Sequence, residues 1–205
     1  LSSSGSGVVP QSPFTLEITA VEAANSRAVS MDIDPQVIDR VFSQSVELSD
    51  TAIVDFVRAL CAVSLSEISS PTPRIFSLQK IVEVAAYNMD RRMRLVWHDV
   101  WLILQEHFIR CGCHELTALS LFAVDSLRQL ASKYLEKDEL ADFNFQREFL
   151  RPLEVVVATT RSGSVKTYVV QTLRQLVVTR TSNICSGWKS IFTVLATCAA
   201  EVDEA

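Results

Sequence analysis

Glycine is scarce in this chain of 205 residues: only five are present, and two of them lie within the first seven positions. Glycine-rich loops that cradle phosphate groups, and successive tight β-hairpin turns, both require more glycine than this. The sequence therefore argues against a glycine-loop nucleotide site and against a fold built from β-hairpins.

Other features are missing as well. No apolar run approaches the roughly 18 residues of a transmembrane helix, and the first residues lack the basic and apolar segments of a signal peptide. The five cysteines are odd in number and lie mostly among apolar neighbours, which is typical of buried thiols in a reducing compartment. The formal net charge of −5 argues against nucleic acid as a partner. These thiols lead us to expect a cytoplasmic protein. Because the chain does not begin with Met and ends in an acidic segment, we expect it to be a piece of a longer protein.

What is present is a helical pattern. Hydrophobic residues make up 48 % and charged residues 21 %, which is ordinary globular composition. From Asp34 onward the apolar positions recur at helical spacing, which predicts eight helices and an all-α fold. Asp34-Pro35 and Ser49 are start signals, and Gly112 is predicted to end a helix in the left-handed conformation. We expect a single helical domain over residues 34–205, preceded by a flexible linker or partly helical lead-in over residues 1–33.

The spacing of the helices is informative. Grouped in pairs, they begin near residues 35, 74, 116 and 163, a period of about 40 to 47 residues, which is typical of HEAT and armadillo arrays. A helix pair cannot bury its own apolar stripe, so such pairs stack into a continuous core. The period predicts a right-handed stack of about four antiparallel helix pairs, a HEAT/armadillo-like α-solenoid. The alternative is a compact bundle of the same helices.

No constellation of residues indicates a catalytic site. Cys111, Cys113 and His114 could form half of a zinc site or hold a reactive thiol, but no second Cys/His pair follows them. His98 and His107 match no metalloprotease pattern. We therefore expect no catalytic residues, no metal and no cofactor, and an enzyme stays the third hypothesis.

Charge is distributed unevenly along the chain. No acidic residue occurs between Glu154 and Glu201, so residues 155–200 sum to +5. The five basic residues of this C-terminal basic group are Arg161, Lys166, Arg174, Arg180 and Lys189. A second cluster, the arginine loop, contains Arg91, Arg92 and Arg94. Both are candidate membrane- or partner-binding sites, although a charge run can also be simply a solvated helix face.

Several longer blocks carry a resemblance to a known family. They are residues 53–64, 73–83 with the following Tyr87-Asn88-Met89, 122–130, 149–154 and 186–192. Together they closely resemble the large trans-Golgi exchange factors for Arf GTPases, the BIG class of the Sec-seven family. The resemblance covers residues 33–201 and matches the helical region immediately downstream of the catalytic exchange domain.

The resemblance implies a regulatory function without catalysis in this segment. It implies recruitment to trans-Golgi membranes as a peripheral protein, restraint of the catalytic domain, and positive feedback through GTP-bound Arf. The implied partners are an Arf-family GTPase, the anionic Golgi membrane surface and neighbouring domains of the parent exchange factor. The alternative is an architectural spacer, or a segment that forms a homodimer and positions the exchange domain.

Overall fold

The computed structural model describes residues 34–137, 139 and 144–203. These residues contain no β-strand, so the predicted all-α class is confirmed for the described part of the chain. Their eight α-helices are α1 (Pro35–Ser43), α2 (Asp50–Ile68), α3 (Phe76–Asn88), α4 (Arg94–Gly112), α5 (Thr117–Tyr134), α6 (Phe145–Thr159), α7 (Gly163–Arg180) and α8 (Trp188–Asp203). Short 3₁₀-helices occupy Gln44–Glu47 and Thr181–Asn183. The flexible linker or partly helical lead-in predicted over residues 1–33 lies outside the described residues.

Side-chain caps begin α1, α2 and α7, the last through the Ser162 hydroxyl, which accepts a hydrogen bond from the backbone N–H of Val165. The Asp34 carboxylate accepts a hydrogen bond of 2.9 Å from the backbone N–H of Gln36 at the start of α1. The Ser49 hydroxyl accepts one from Ala52 at the start of α2. Such caps satisfy backbone donors that have no partner inside the helix. The start signals predicted at Asp34-Pro35 and at Ser49 are confirmed.

The helices that follow α1 pack in two rows. Helices α2, α4, α6 and α8 contact one another in succession, and α3, α5 and α7 do the same beside them. Contacts divide the chain into two compact units, residues 1–40 and 41–205, and the rows belong to the second unit. The predicted domain boundary near residue 33 remains a prediction.

One edge of the second unit is tied together by hydrogen bonds between successive interhelical connections. Arg92 donates to the carbonyl of Leu48 (2.6 Å), and Lys137 donates to that of Met89 (3.0 Å). Further along, the amide of Gln146 donates to the carbonyl of Asn183 (2.8 Å). We call this side the bonded edge.

Aromatic rings join three helices in the core. The Trp101 ring of α4 stacks on the Phe149 ring of α6 with 3.8 Å between centroids, and Phe149 stacks on Tyr134 of α5 at 4.3 Å. The stack belongs to a core of buried side chains whose fully buried members include Ile53, Leu78, Leu104, Phe108, Leu127, Leu130 and Leu153. Burial of this apolar surface is the main force that holds the rows together.

Gly112 ends α4 as predicted, but for a different reason. It is the last helical residue, and Cys113 follows it with φ −98°, so no left-handed glycine ends the helix. A Cβ at position 112 would lie 2.6 Å from Cγ2 of Val156 on α6. The expected left-handed cap is therefore wrong: Gly112 is needed for close packing of α4 against α6.

We expect Gly112→Ala to lower the free energy of unfolding by about 1 to 3 kcal/mol, because the stiff Val156 side chain must move. The matched control is Gly163→Ala at the start of α7, where an added Cβ meets nothing within 4 Å. That variant should be neutral or more stable. Urea denaturation measures both, and equal effects of the two substitutions would contradict the packing explanation.

Candidate functional site

The arginine loop joins α3 to α4 and contains two different kinds of arginine. Arg91 and Arg94 are exposed. The Arg92 side chain is only 6 % exposed, and its guanidinium donates to the carbonyls of Ser45 (2.9 Å) and Leu48 (2.6 Å). Arg92 is thus engaged within the fold, and the loop presents Arg91 and Arg94 to solvent.

Exposed apolar residues alternate with these arginines. Met93 is 69 % exposed and Leu95 is 71 % exposed. Sequence reasoning missed them, although apolar residues between arginines in a predicted turn were a usable signal. The loop therefore combines positive charge with apolar side chains that have no place in the core.

The C-terminal basic group is distributed along α7 rather than gathered at one point. Arg161 is exposed just before α7, and Arg174 is exposed in its second half. Arg180 lies at the far end and pairs with Glu136 of the bonded edge. Since a helix of 18 residues is about 27 Å long, Arg161 and Arg180 are too far apart to contact one small ligand.

The members of this group differ in how far their charge is compensated. Lys166 is half-buried and engaged with a neighbour. Within the described part of the chain, no carboxylate lies within 4 Å of the side-chain nitrogens of Arg161, Arg174 or Lys189. Arg174 lies beside Val178, which is 74 % exposed, on the open face of α7. The charges of Arg161, Arg174 and Lys189 are therefore available to a partner.

Other basic residues are paired along their own helices. Arg58 pairs with Asp55, Lys80 with Glu83 and Arg128 with Asp125, each three residues apart. Since each pair lies on one helix, it contributes little to packing of the rows.

Asp125 also joins α5 to α7. It accepts a hydrogen bond of 2.9 Å from the Tyr168 hydroxyl. Burial alone would raise the pKa of this carboxyl, but hydrogen bonds from Arg128, Gln129 and Tyr168 outweigh it and hold the pKa below its usual value. The carboxylate stays charged and serves the interface between the helices.

The cysteines near the end of α4 are poorly suited to chemistry. Burial raises the pKa of the Cys111 thiol to about 12 and that of Cys61 to about 12. A thiol held protonated is a weak nucleophile and a weak metal ligand. Burial also raises the pKa of Cys113, which is half-buried. The structure groups no three His, Cys, Asp or Glu side chains in a metal-binding arrangement within the described ranges.

His107 is a buried titratable group between α2 and α4, and its side chain is 2 % exposed. Its Nε2 lies 3.1 Å from the Ser64 hydroxyl and 3.5 Å from the Cys111 sulfur. Burial, followed by the positive charge of Arg110, lowers the pKa of His107 from 6.5 to about 4. The imidazole is therefore neutral in the folded protein at physiological pH.

This histidine makes the stability sensitive to acid. Because the folded pKa of His107 lies below the unfolded value, its stabilising contribution is complete above pH 6.5 and is lost as the pH falls toward 4. We expect a loss of about 3 kcal/mol by pH 4 from this group. Urea denaturation across this range should show a shallower pH dependence for His107→Gln. Parallel curves for the two proteins would contradict the assignment.

Three matches connect the sequence of this chain to known proteins. Residues 133–205 match the Sec7-like HDS family, described as Mon2/Sec7/BIG1-like, HDS. Brefeldin A-inhibited guanine nucleotide-exchange protein 1 of Homo sapiens is 50 % identical over 168 residues, which cover 82 % of this chain and 9 % of the relative. Brefeldin A-inhibited guanine nucleotide-exchange protein 3 of Arabidopsis thaliana is 42 % identical over 198 residues, covering 95 % of this chain and 11 % of the relative.

These matches place the chain in a helical region outside the catalytic exchange domain. The chain is a region of the BIG class of the Sec7 family, as its sequence blocks indicated. It spans about a tenth of the length of the relatives that it matches. In the described part of the chain, no helix is both long and apolar enough to cross a lipid bilayer.

Proposed function

We propose that this chain is a non-catalytic regulatory region of an Arf exchange factor that recruits its parent protein to Golgi membranes. In this proposal it binds GTP-loaded Arf at the anionic trans-Golgi surface, so that product already on the membrane attracts more exchange factor. It also restrains the catalytic domain through neighbouring domains. The observation that carries the proposal is the membership in this family together with exposed basic residues that lack acidic partners over residues 155–200.

In this proposal the chain alone binds the membrane weakly. Arg161 and Arg174 supply charge before and along α7, Lys189 supplies it at the start of α8, and Arg91 and Arg94 supply it at the arginine loop. Each basic side chain near an anionic bilayer contributes about 1 kcal/mol. Such binding alone is reversible and sensitive to salt, so a second signal is needed for stable attachment. GTP-loaded Arf supplies that signal in our proposal.

The two rows of helices suit such a function. We propose that they form a right-handed HEAT/armadillo-like solenoid of about four helix pairs within a single domain over residues 34–205. The successive contacts from α2 to α8 support this arrangement. A solenoid exposes long faces to several partners at once, which a region that contacts membrane, GTPase and neighbouring domains requires.

Charge reversal tests the membrane contact. We expect Arg174→Glu/Lys189→Glu to reduce binding to anionic liposomes about tenfold or more in a flotation assay, because two attractive contacts become repulsive. The matched control is Arg58→Glu/Arg110→Glu, which changes the net charge equally at exposed residues paired on their own helices. The control should bind within about twofold of the parent chain, since the charge of each of these arginines is already compensated by a carboxylate on its own helix. Equal losses in both variants would refute a localised contact.

A second candidate function is architectural: a spacer or dimerisation segment that positions the exchange domain. It is favoured by α8, where Phe192 is 61 % exposed and Leu195 is 42 % exposed. The Trp188 and Phe192 rings stack at 5.7 Å on the same helix. This candidate predicts self-association in sedimentation experiments that Phe192→Ser abolishes, together with no binding to liposomes or Arf.

A further inference from the structure

A small, partly open cavity lies at the bonded edge, between the start of α4 and the end of α5. Its volume is about 60 Å³. Three aromatic side chains form its walls: Trp97 of α4, Tyr134 of α5 and Phe145 of α6. The guanidinium-bearing side chain of Arg94 lines the same space. The cavity thus combines apolar walls with a cation.

Three hydrogen-bond donors around this cavity have no acceptor. The Arg94 guanidinium, the Tyr134 hydroxyl and the Trp97 indole N–H make no hydrogen bond to any residue that the structure describes. By contrast, Trp101, one turn further along α4, donates its indole N–H to the carbonyl of Glu148. Arg94 is exposed, and neither the Tyr134 hydroxyl nor the Trp97 indole N–H is among the described buried groups without a partner. Solvent therefore reaches all three donors in the free chain, and a ligand that offers acceptors can replace that water.

The charges around the cavity favour a single negative charge in the ligand. Lys137 also lines it, but its ammonium is already paired with Asp90 at 2.7 Å. Glu139 adds a negative charge, and its oxygens accept hydrogen bonds from Gln146 and Ser186. Arg92 lines the cavity as well and pairs with Asp50, while Lys137 shares Asp90 with Lys133. Because Glu139 repels a doubly charged phosphate more strongly than a singly charged carboxylate, we expect the carboxylate to be preferred.

Tyr134 is suited to donate to such a ligand. Burial, followed by the negative charge of Glu139, raises the pKa of Tyr134 to about 12. The hydroxyl therefore keeps its proton at neutral pH. Its ring is fixed by stacking on Phe149, which holds the hydroxyl at the cavity without a large loss of side-chain freedom on binding.

We propose that this cavity binds the carboxylate of an aspartate or glutamate side chain presented by a partner protein. Arg94 pairs with the carboxylate, and Tyr134 and Trp97 donate hydrogen bonds to its oxygens. The aromatic walls contact the methylene groups of the side chain. Met93 and Leu95, exposed on either side of Arg94, provide apolar contacts for the residues that flank the acid. The site shares Arg94 with the membrane contact proposed above, but it uses none of Arg161, Arg174 and Lys189.

The experiment is a titration of the ¹⁵N-labelled chain, followed through the indole N–H signals of its three tryptophans. The probe is N-acetylglutamate α-amide, which has one side-chain carboxylate. Its matched control is the neutral N-acetylglutamine α-amide, and inorganic phosphate forms a third arm. We expect the glutamate probe to shift the Trp97 signal in a saturable way and to leave the Trp188 signal in place.

Variants then test the residues. Arg94→Gln should weaken binding of the glutamate probe about tenfold or more, because a charge-assisted hydrogen bond is lost. Tyr134→Phe should weaken it by a smaller factor, and Arg91→Gln, in the same loop but not lining the cavity, should leave it unchanged. The proposal is overturned if the neutral probe shifts Trp97 equally, if no probe shifts it, or if phosphate binds more tightly than the glutamate probe.

Discussion

Replacing Arg92 with alanine is expected to lower the free energy of unfolding by about 2 to 4 kcal/mol, because several buried acceptors lose their donor. The guanidinium donates to the carbonyls of Ser45 and Val46, within the 3₁₀-helix before α2, and to that of Leu48, which follows this helix. Its Nε also donates to the Asn88 side chain at 2.9 Å. One side chain therefore fastens the start of α2 to the end of α3, and urea denaturation at neutral pH measures the loss.

Two control variants make this prediction specific. Arg91→Ala removes the same charge from the adjacent exposed position and should change stability by less than about 0.5 kcal/mol. Arg92→Lys should fail to restore the parent stability, since an ammonium cannot reproduce the planar fork of donors. Equal stability of Arg91→Ala and Arg92→Ala would contradict this prediction, because it would mean that the hydrogen bonds of Arg92 do not stabilise the fold.

The aromatic stack at the junction of α4, α5 and α6 should give the largest loss of stability. We expect Trp101→Ala to lower the free energy of unfolding by about 3 to 5 kcal/mol, because it empties a buried site next to Phe149. Trp101 is 3 % exposed, and its ring covers that of Phe149 at an angle of 11°. Equilibrium denaturation followed by circular dichroism avoids dependence on the fluorescence of the deleted residue.

The control for this variant keeps a ring in place. Trp101→Phe retains stacking and loses the long hydrogen bond of 3.4 Å from Nε1 to the Glu148 carbonyl. It should cost less than half as much as the alanine substitution. If both substitutions had the same effect, the hydrogen bond rather than the packed ring would account for the stability of this junction.

The helices could be predicted from the sequence because their signals are local. A serine cap such as Ser49 and an apolar residue every third or fourth position act within one helix. Gly112 shows the limit of this reasoning: the helix ends there as predicted, but the requirement for glycine comes from Val156, which lies 44 residues away in the chain. A sequence pattern contains no signal for such a contact.

In the candidate site, too, local features could be predicted from the sequence and contacts between distant residues could not. The absence of acidic residues over residues 155–200 is visible in the sequence, and exposure of Arg174 and Lys189 agrees with it. Whether the other basic residues are available to a partner depends on their neighbours from elsewhere in the chain. Arg180 is paired with Glu136, and Arg92 donates to backbone carbonyls. The three arginines of the arginine loop therefore have two different surroundings, which composition alone could not distinguish.

The cavity at the bonded edge could not be predicted from the sequence at all. Its donors, Arg94, Trp97 and Tyr134, come from two helices, and none of them stands out in a linear pattern. They meet only because α4 and α5 run in opposite directions and bring the start of one beside the end of the other. Which helix ends meet depends on the topology of the fold. The period of apolar residues predicts the helices but not which of their ends lie side by side.

The central claim is that this region contacts GTP-loaded Arf on an anionic membrane. The most direct measurement is flotation of the chain with anionic liposomes that carry anchored Arf in either its GTP-bound or its GDP-bound form. The account predicts that GTP-loaded Arf increases the bound fraction several-fold over lipid alone, and that GDP-loaded Arf does not. Equal binding to liposomes with GTP-loaded Arf, with GDP-loaded Arf and without Arf would contradict it.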